Sequence, residues 1–171
     1  MIPALLDGTG AFVAASYTIT ANRSRRVNFS DGYLSVQQHI IAHRKNYAIR
    51  SPRDLAGKAV HVRKGTSYQD RLEALQRSGT DLRIVLHEDL PTEELIRMVA
   101  EEQIPATIAD SNIAMRARRY YPQAIIADPV GEKEYLGWAV HPEACELLGR
   151  INAFFRKIKK DGTFARIYNK Y

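Results

Sequence analysis

Short apolar runs and helix-spaced apolar stripes alternate along this chain. Runs of about four to eight largely apolar residues predict buried strands, and they cover residues 11–15, 36–44, 59–62, 82–86, 105–109, 124–127 and 135–140. Apolar residues spaced three and four apart predict helices, and these cover residues 2–6, the segment from residue 67 onward, 91–102, 111–120, 142–158 and 163–171. Strands that alternate with helices indicate an α/β fold with mainly parallel sheets.

Capping residues mark several of the predicted helix boundaries. Gly8 closes the first helix. Further along, Ser51 caps the start of a short helix and Gly57 ends it. Ser67 and Asp70 resemble a capping box, with Asp in place of the usual Glu. The backbone N–H groups and the positive dipole end at this helix start favour an anion.

Composition places the chain among ordinary globular proteins, with 45% hydrophobic and 26% charged residues. No apolar run reaches the ~18 residues that a membrane-spanning helix needs, and no signal peptide opens the sequence. The single cysteine, Cys145, excludes an internal disulfide. Because Cys145 falls inside a helical pattern, we expect a packed thiol.

A formal charge of +6 favours anionic partners, such as nucleic acid, lipid headgroups or cell-wall material. The basic residues form three short clusters, which are Arg23/Arg25/Arg26, Arg116/Arg118/Arg119 and Arg156/Lys157/Lys159/Lys160. These clusters lack the interleaved aromatic residues of a single-strand binder. We therefore expect ordinary solvated surfaces and no nucleic-acid partner; the opposite hypothesis predicts affinity that falls steeply with salt.

Three hydroxyl side chains and one guanidinium follow the first predicted strand. Ser16, Thr18 and Thr20 alternate along the chain, and Arg23 comes three residues later. An arginine fork matches a carboxylate with two parallel hydrogen bonds, and the hydroxyls add donors. The pattern indicates an anion site; the alternative is a solvated junction with an incidental arginine.

Two more positions could contact a ligand. Thr66 and Ser67 add hydroxyls to the helix start described above, although N-capping alone would explain Ser67. Asp110 ends a predicted buried strand immediately before a helix. An acid at that position either caps the helix or binds a ligand cation.

The patterns that would indicate hydrolytic or metal chemistry are missing from the sequence. The histidines show no metal-ligand spacing, and no Gly-x-Ser-x-Gly or phosphate-loop motif occurs. We therefore expect no metal and no cofactor.

Several ordered motifs resemble family-3 solute-binding proteins, the two-lobed periplasmic receptors for amino acids that serve ABC transporters. They are Thr18-Ile19-Thr20-x-x-Arg23 and Phe29-Ser30-Asp31-Gly32-Tyr33. Further along, the chain resembles one branch of this family more closely, the receptor-like domain of membrane-bound lytic transglycosylase F. The residues that carry this likeness are 107–114, 136–140, 161–163 and 167–171. The likeness spans nearly the whole chain.

The resemblance implies a two-lobed, type II periplasmic-binding-protein-like fold. Residues 1–38 would form part of the first lobe, 39–135 the second lobe, and 136–171 the return hinge with C-terminal helices on the first lobe. The elements that normally open the first lobe would be absent, so that this lobe is truncated.

By the same resemblance, Arg23 with Ser16 and Thr18 would hold a ligand carboxylate. Thr66 and Ser67 would close on that carboxylate from the second lobe. In the resembled family an Asp that matches Asp110 binds the ligand's amino group, so Asp110 would do the same here. Tyr17 would pack either against the ligand or in the core. Closure of the lobes would then signal binding.

The resemblance leaves more than one biological role open. The first is a sensor module for amino acids or muropeptides that regulates an attached lytic transglycosylase domain. The second is the amino-acid-binding component of an ABC transporter, whose partner is a permease. A third, from another class, is part of a peptidoglycan-cleaving enzyme; the Glu-Ser pair of the transglycosylases is absent here, so we expect no catalysis by this chain alone. All three imply a periplasmic location, with outer-membrane association for a longer protein.

Overall fold

The computed structural model describes residues 1–170, and these divide into two units. Unit 1 comprises residues 1–35 and the chain from residue 134 onward, and unit 2 comprises Val36–Lys133. The α/β class predicted from the sequence is confirmed.

Ten strands and seven α-helices are present among the described residues. The strands are β1 (Phe12–Val13), β2 (Asn28–Phe29), β3 (Leu34–Val36), β4 (Gln38–His43), β5 (Ala59–Arg63), β6 (Arg83–His87), β7 (Ala106–Asp110), β8 (Ala124–Pro129), β9 (Glu134–Leu136) and β10 (Ala139–Val140). The helices are α1 (Ile2–Leu6), α2 (Ala21–Ser24), α3 (Ser67–Arg77), α4 (Thr92–Ala100), α5 (Ser111–Ala117), α6 (Cys145–Lys160) and α7 (Thr163–Lys170). The predicted last helix includes Tyr171, which lies outside the described residues.

Unit 2 is built on a five-stranded sheet in the order β6-β5-β7-β4-β8. Pairing is parallel from β6 through β5 to β7, where α3 and α4 supply the crossovers that parallel strands require. Pairing is antiparallel where β4 meets β7 and β8. The sheet is therefore mixed where mainly parallel sheets were predicted, because hydrophobic periodicity identifies a strand without its direction.

Apolar side chains cover both faces of this sheet. Ile40 packs on one face with Leu72 of α3 and Ile108 of β7, and its neighbour Ile41 packs on the opposite face with Leu95 of α4. Successive strand residues point to opposite faces, so consecutive apolar residues such as those at positions 40–42 of β4 indicate a strand buried on both sides. Each fully buried aliphatic side chain contributes about 1.5–3 kcal/mol.

Unit 1 contains a three-stranded antiparallel sheet in the order β1-β10-β2. Residues 11–15 were predicted to be a buried strand, but only Phe12 and Val13 pair, and Phe12 remains 42% exposed. Its ring stacks on Trp138 with 5.5 Å between centroids. The prediction of burial was wrong because β1 lies at the edge of the described sheet.

The helices also differ from the prediction at a few positions. The helix predicted from residue 142 begins at Cys145, and that thiol is exposed, whereas a packed thiol was expected. The short helix at Pro52–Leu55 is a 3₁₀-helix, which begins after Ser51. None of the helices within residues 1–170 has the length and apolar character to cross a membrane.

Candidate functional site

In unit 1 the predicted anion-binding residues surround the start of α2. Thr20 occupies the N-cap position, and its Oγ1 accepts a hydrogen bond of 3.3 Å from the backbone N–H of Arg23. This cap fixes the first turn, which brings the Arg23 side chain back toward residues 17 and 18. Thr20 therefore caps the helix backbone, whereas the sequence predicted that its hydroxyl would donate a hydrogen bond to a ligand.

Arg23 is held in place from two directions. Its Nη1 donates a hydrogen bond of 2.9 Å to the backbone carbonyl of Thr18, and its guanidinium carbon lies 4.1 Å from the centroid of the Tyr17 ring. The residue is only 8% exposed. A partly desolvated guanidinium on an aromatic face has lost much of its freedom, so it is prepared to bind an anion at small entropic cost.

The other predicted residues of unit 1 occupy different environments. Thr18 is buried and forms an isolated β-bridge with Leu136, and Ser16 is exposed. Tyr17 packs in an apolar cluster with Ile2 and Val27. Of the two roles considered for Tyr17, the structure shows the core contact, together with the support that its ring gives to Arg23.

In unit 2, α3 begins where the sequence placed a second anion-binding element. Thr66 is the N-cap residue, yet its Oγ1 donates to the carbonyl of Arg63 at 2.7 Å and caps no helix N–H. Ser67 is the first helical residue, and its buried Oγ accepts a hydrogen bond of 3.1 Å from Nε2 of Gln38. The predicted capping box of Ser67 and Asp70 was wrong, because the helix begins at Ser67, one residue earlier than that motif requires.

Asp110 ends β7 and lies in the N-cap position of α5, but its side chain makes no capping hydrogen bond. It is 2% exposed, and its backbone N–H donates to the hydroxyl of Tyr68 at 3.2 Å. Burial and the nearby Asp110 carboxylate raise the pKa of the Tyr68 phenol, so Tyr68 stays neutral. Of the two roles considered for Asp110, capping is therefore excluded.

Gln38 and Tyr68 link Ser67 to Asp110. Gln38 faces Asp110 across the β4–β7 ladder and donates to Ser67, and Tyr68 follows Ser67 and accepts from Asp110. All four residues are buried. The sequence analysis missed Gln38 and Tyr68, although a polar residue at the head of an apolar strand was an available signal for Gln38. Thr66 makes its hydroxyl contact with Arg63, outside this cluster.

No group of three or more His, Cys, Asp or Glu side chains among residues 1–170 is arranged to hold a metal ion. Two histidines do meet, with Nδ1 of His61 3.0 Å from Nε2 of His87. Burial and the neighbouring His87 lower the pKa of His61.

The family model of the bacterial extracellular solute-binding proteins, family 3, matches residues 1–171. The chain belongs to that family. The resemblance seen in the sequence motifs is thereby confirmed, and this family-3 domain is a small-ligand-binding module.

Curated relatives of the family-3 domain are membrane-bound lytic murein transglycosylases F. The protein of Desulfosudis oleivorans is 51% identical over 171 residues, which are 100% of this chain and 38% of that protein. The protein of Pseudomonas syringae pv. tomato is 33% identical over 159 residues, which are 92% of this chain and 32% of that protein. The family-3 domain thus spans about a third of the length of these relatives.

Solved structures similar to the family-3 domain are amino-acid-binding proteins. An ancestral arginine-binding protein bound to arginine has a TM-score of 0.90 and 30% identity, over 99% of this chain and 75% of that one. An ancestral amino-acid-binding protein, a precursor of cyclohexadienyl dehydratase, has a TM-score of 0.88 and 29% identity, over 99% and 72%. They confirm the predicted type II periplasmic-binding-protein fold.

Proposed function

We propose that this family-3 domain binds α-amino acids or murein fragments that carry them. The observation that carries this proposal is Arg23, whose guanidinium is oriented by the Thr18 carbonyl and the Tyr17 ring. A carboxylate gains most from a donor fork that is already oriented, because little rotamer entropy remains to be lost. In this proposal Arg23 binds the ligand carboxylate, with Ser16 and Thr18 as further contacts, and Tyr17 supports the guanidinium.

The polar cluster of unit 2 supplies complementary chemistry. Asp110 is a buried acid, and a buried carboxylate favours a cationic partner. We assign it the ligand's ammonium group. Thr66 and Ser67 stand at the N-terminus of an 11-residue helix, where the backbone dipole favours the ligand carboxylate. A ligand with both charges matches the guanidinium of Arg23 and the carboxylate of Asp110, whereas a ligand with one charge matches only one of these two groups.

The biological setting that we favour is a sensor domain in a longer, periplasmic lytic transglycosylase associated with the outer membrane. The 51% identity to a murein transglycosylase over the whole chain supports this setting. The runner-up is the amino-acid-binding component of an ABC transporter, which the likeness to amino-acid-binding proteins supports. Ligand preference separates the two, since a sensor of murein should favour a stem peptide over single amino acids.

A third role, a direct part in peptidoglycan cleavage, belongs to another class of function. In our proposal this chain binds without cleaving. Incubation with purified peptidoglycan should release no anhydromuropeptides from the isolated chain. Release above a buffer blank would replace the binding proposal with an enzymatic one.

The decisive experiment is an amide-resolved NMR titration with a panel of amino acids and a murein stem peptide. Saturable shifts at residues 16–23, 66–67 and 110 with at least one member of the panel are the expected result. A folded protein that shows no saturable shift at these residues with any member would contradict the proposal.

A further inference from the structure

Unit 2 has an open pocket where the end of β4 meets the turn between α4 and β7. Its volume is about 470 Å³, within the range of small-molecule sites. Polar side chains of His43, Lys45, Asn46, Glu102 and Gln103 line it. None of these residues belongs to the proposed amino-acid site.

One wall of the pocket has a left-handed backbone. Glu102 has φ of +60°, and it is the only non-glycine residue with positive φ among residues 1–170. The backbone N–H of Glu102 donates to the carbonyl of Val99, and the N–H of Gln103 donates to the carbonyl of Met98. This is the Schellman arrangement at the end of α4. Glycine is favoured at this position of the motif because a Cβ is strained there. A glutamate at this position costs some stability and places a carboxylate at the wall of the pocket.

The Glu102 side chain is oriented toward two basic groups. Its Oε1 lies 3.0 Å from Nζ of Lys45 and 3.8 Å from Nε2 of His43. His43 is 6% exposed, and its Nδ1 accepts a hydrogen bond from the Lys45 backbone N–H, so the neutral ring carries its proton on Nε2. A separation of 3.8 Å is too long for a direct hydrogen bond. A hydroxyl oxygen about 2.9 Å from each atom would accept from Nε2 and donate to the carboxylate.

The charges of the pocket argue for an uncharged ligand. Lys45 and Glu102 form an ion pair, so their opposite charges offset each other and give a charged ligand little net attraction. The amides of Asn46 and Gln103 can both donate and accept, as hydroxyl groups do. Ile104 belongs to the buried core beneath the pocket, and the half-buried Pro105 adds an apolar surface that suits the C–H face of a sugar ring.

We propose that this pocket binds a saccharide unit, that is, an uncharged, polyhydroxylated ring whose hydroxyl groups bridge His43 and Glu102. The ligand class follows from the charge-balanced, amide-rich lining and from the gap between the two side chains. This pocket shares no residue with the proposed amino-acid site, so the failure of one proposal would not affect the other.

The test is an NMR titration of the whole chain with two β-1,4-linked probes, chitotetraose and cellotetraose. We expect saturable amide shifts confined to residues 43–47 and 102–105 with at least one probe. A preference for chitotetraose would identify N-acetylated sugars as the ligand, and equal binding would identify the ring hydroxyls as sufficient. The absence of saturable shifts there with both probes would overturn the proposal.

Variants of Glu102 separate binding from folding. Because glycine suits the left-handed backbone, Glu102→Gly should unfold at or above the wild-type urea midpoint and yet bind the probe at least about tenfold more weakly. Glu102→Gln keeps the side-chain volume and should also weaken binding. The matched control is Glu88→Gln, which removes an exposed carboxylate paired with Lys64 outside the pocket. Wild-type affinity in Glu102→Gly would overturn the proposal.

Discussion

At the scale of single residues, contacts decide which of several similar side chains is prepared to bind a ligand. Arg23 and Arg25 lie two positions apart near the same short helix. The guanidinium of Arg23 is buried against Tyr17, whereas that of Arg25 is exposed and donates to the Oδ1 of Asn22. Only the first is oriented by the fold, and the proposed function depends on that difference.

The first prediction concerns this pair of arginines. Arg23→Lys keeps the charge but loses the planar fork, so we expect affinity for the best ligand of the amino-acid panel to fall by about 10–100-fold. Arg25→Lys is the matched control and should bind as the wild type does. Isothermal titration calorimetry measures both. Wild-type affinity in Arg23→Lys would show that positive charge alone, and not the oriented fork, holds the ligand.

The second prediction concerns a close approach at Gly32. A Cβ at this position would lie 2.9 Å from the Cβ of Tyr135, an atom too close to its own backbone to move away. Gly32→Ala should therefore cost about 1–3 kcal/mol in the free energy of unfolding. A Cβ on Gly10 meets nothing within 4 Å, so Gly10→Ala should change that energy by less than about 1 kcal/mol. Urea unfolding measures both, and equal costs would refute the steric explanation.

At the scale of elements, the ends of helices position several of the proposed binding groups. The start of α3 positions Ser67 beside Gln38, the start of α5 positions Asp110, and the end of α4 positions Glu102. The apolar faces of the same helices are buried in the two clusters that cover the sheet. Packing of the helix bodies therefore fixes where these terminal groups lie.

The third prediction concerns the 3₁₀-helix at Pro52–Leu55. Asp54 Oδ2 accepts hydrogen bonds from the Ser51 N–H, the Ser51 hydroxyl and the Arg50 N–H. These hydrogen bonds lower the pKa of the Asp54 carboxyl below its usual 3.8. The bond from the Ser51 N–H has the largest effect, and the bond from the Ser51 hydroxyl has the next largest. Because the folded pKa is the lower one, the stabilisation is complete above the unfolded value and is lost as pH falls through the folded value.

Asp54→Asn should consequently lower the urea midpoint at neutral pH, and the difference from the wild type should shrink well below pH 3.8. Denaturation curves of both proteins across this range provide the measurement. A difference that stays constant on acidification would mean that ionised Asp54 does not stabilise the helix.

At the scale of the whole molecule, each hydrophobic cluster belongs to one unit. The two clusters of unit 2 contain only residues between 36 and 133, and those of unit 1 contain only residues outside that range. Unit 2 is continuous in sequence, while unit 1 is assembled from two separate segments. A part of a protein that is continuous in sequence and has hydrophobic clusters of its own can fold alone.

The fourth prediction follows from this division. The fragment Val36–Lys133 should fold by itself, because it contains the complete five-stranded sheet with both of its covered faces. Its amide spectrum should be well dispersed and should overlay on the corresponding signals of the whole chain, except near the new termini. A collapsed, poorly dispersed spectrum would show that unit 2 depends on the rest of the chain.

The sequence by itself determined the order of the elements, the α/β class and the family. These depend on local signals, such as apolar periodicity, capping residues and the run of hydroxyls before Arg23, which act over a few neighbouring residues. Tertiary structure alone decided the antiparallel pairing of β4, the exposure of Phe12 and the burial of Gln38 against Ser67. It also decided the meeting of His43 with Glu102. Each of these depends on residues distant in the chain, and a local pattern carries no information about which distant segment will pack against it.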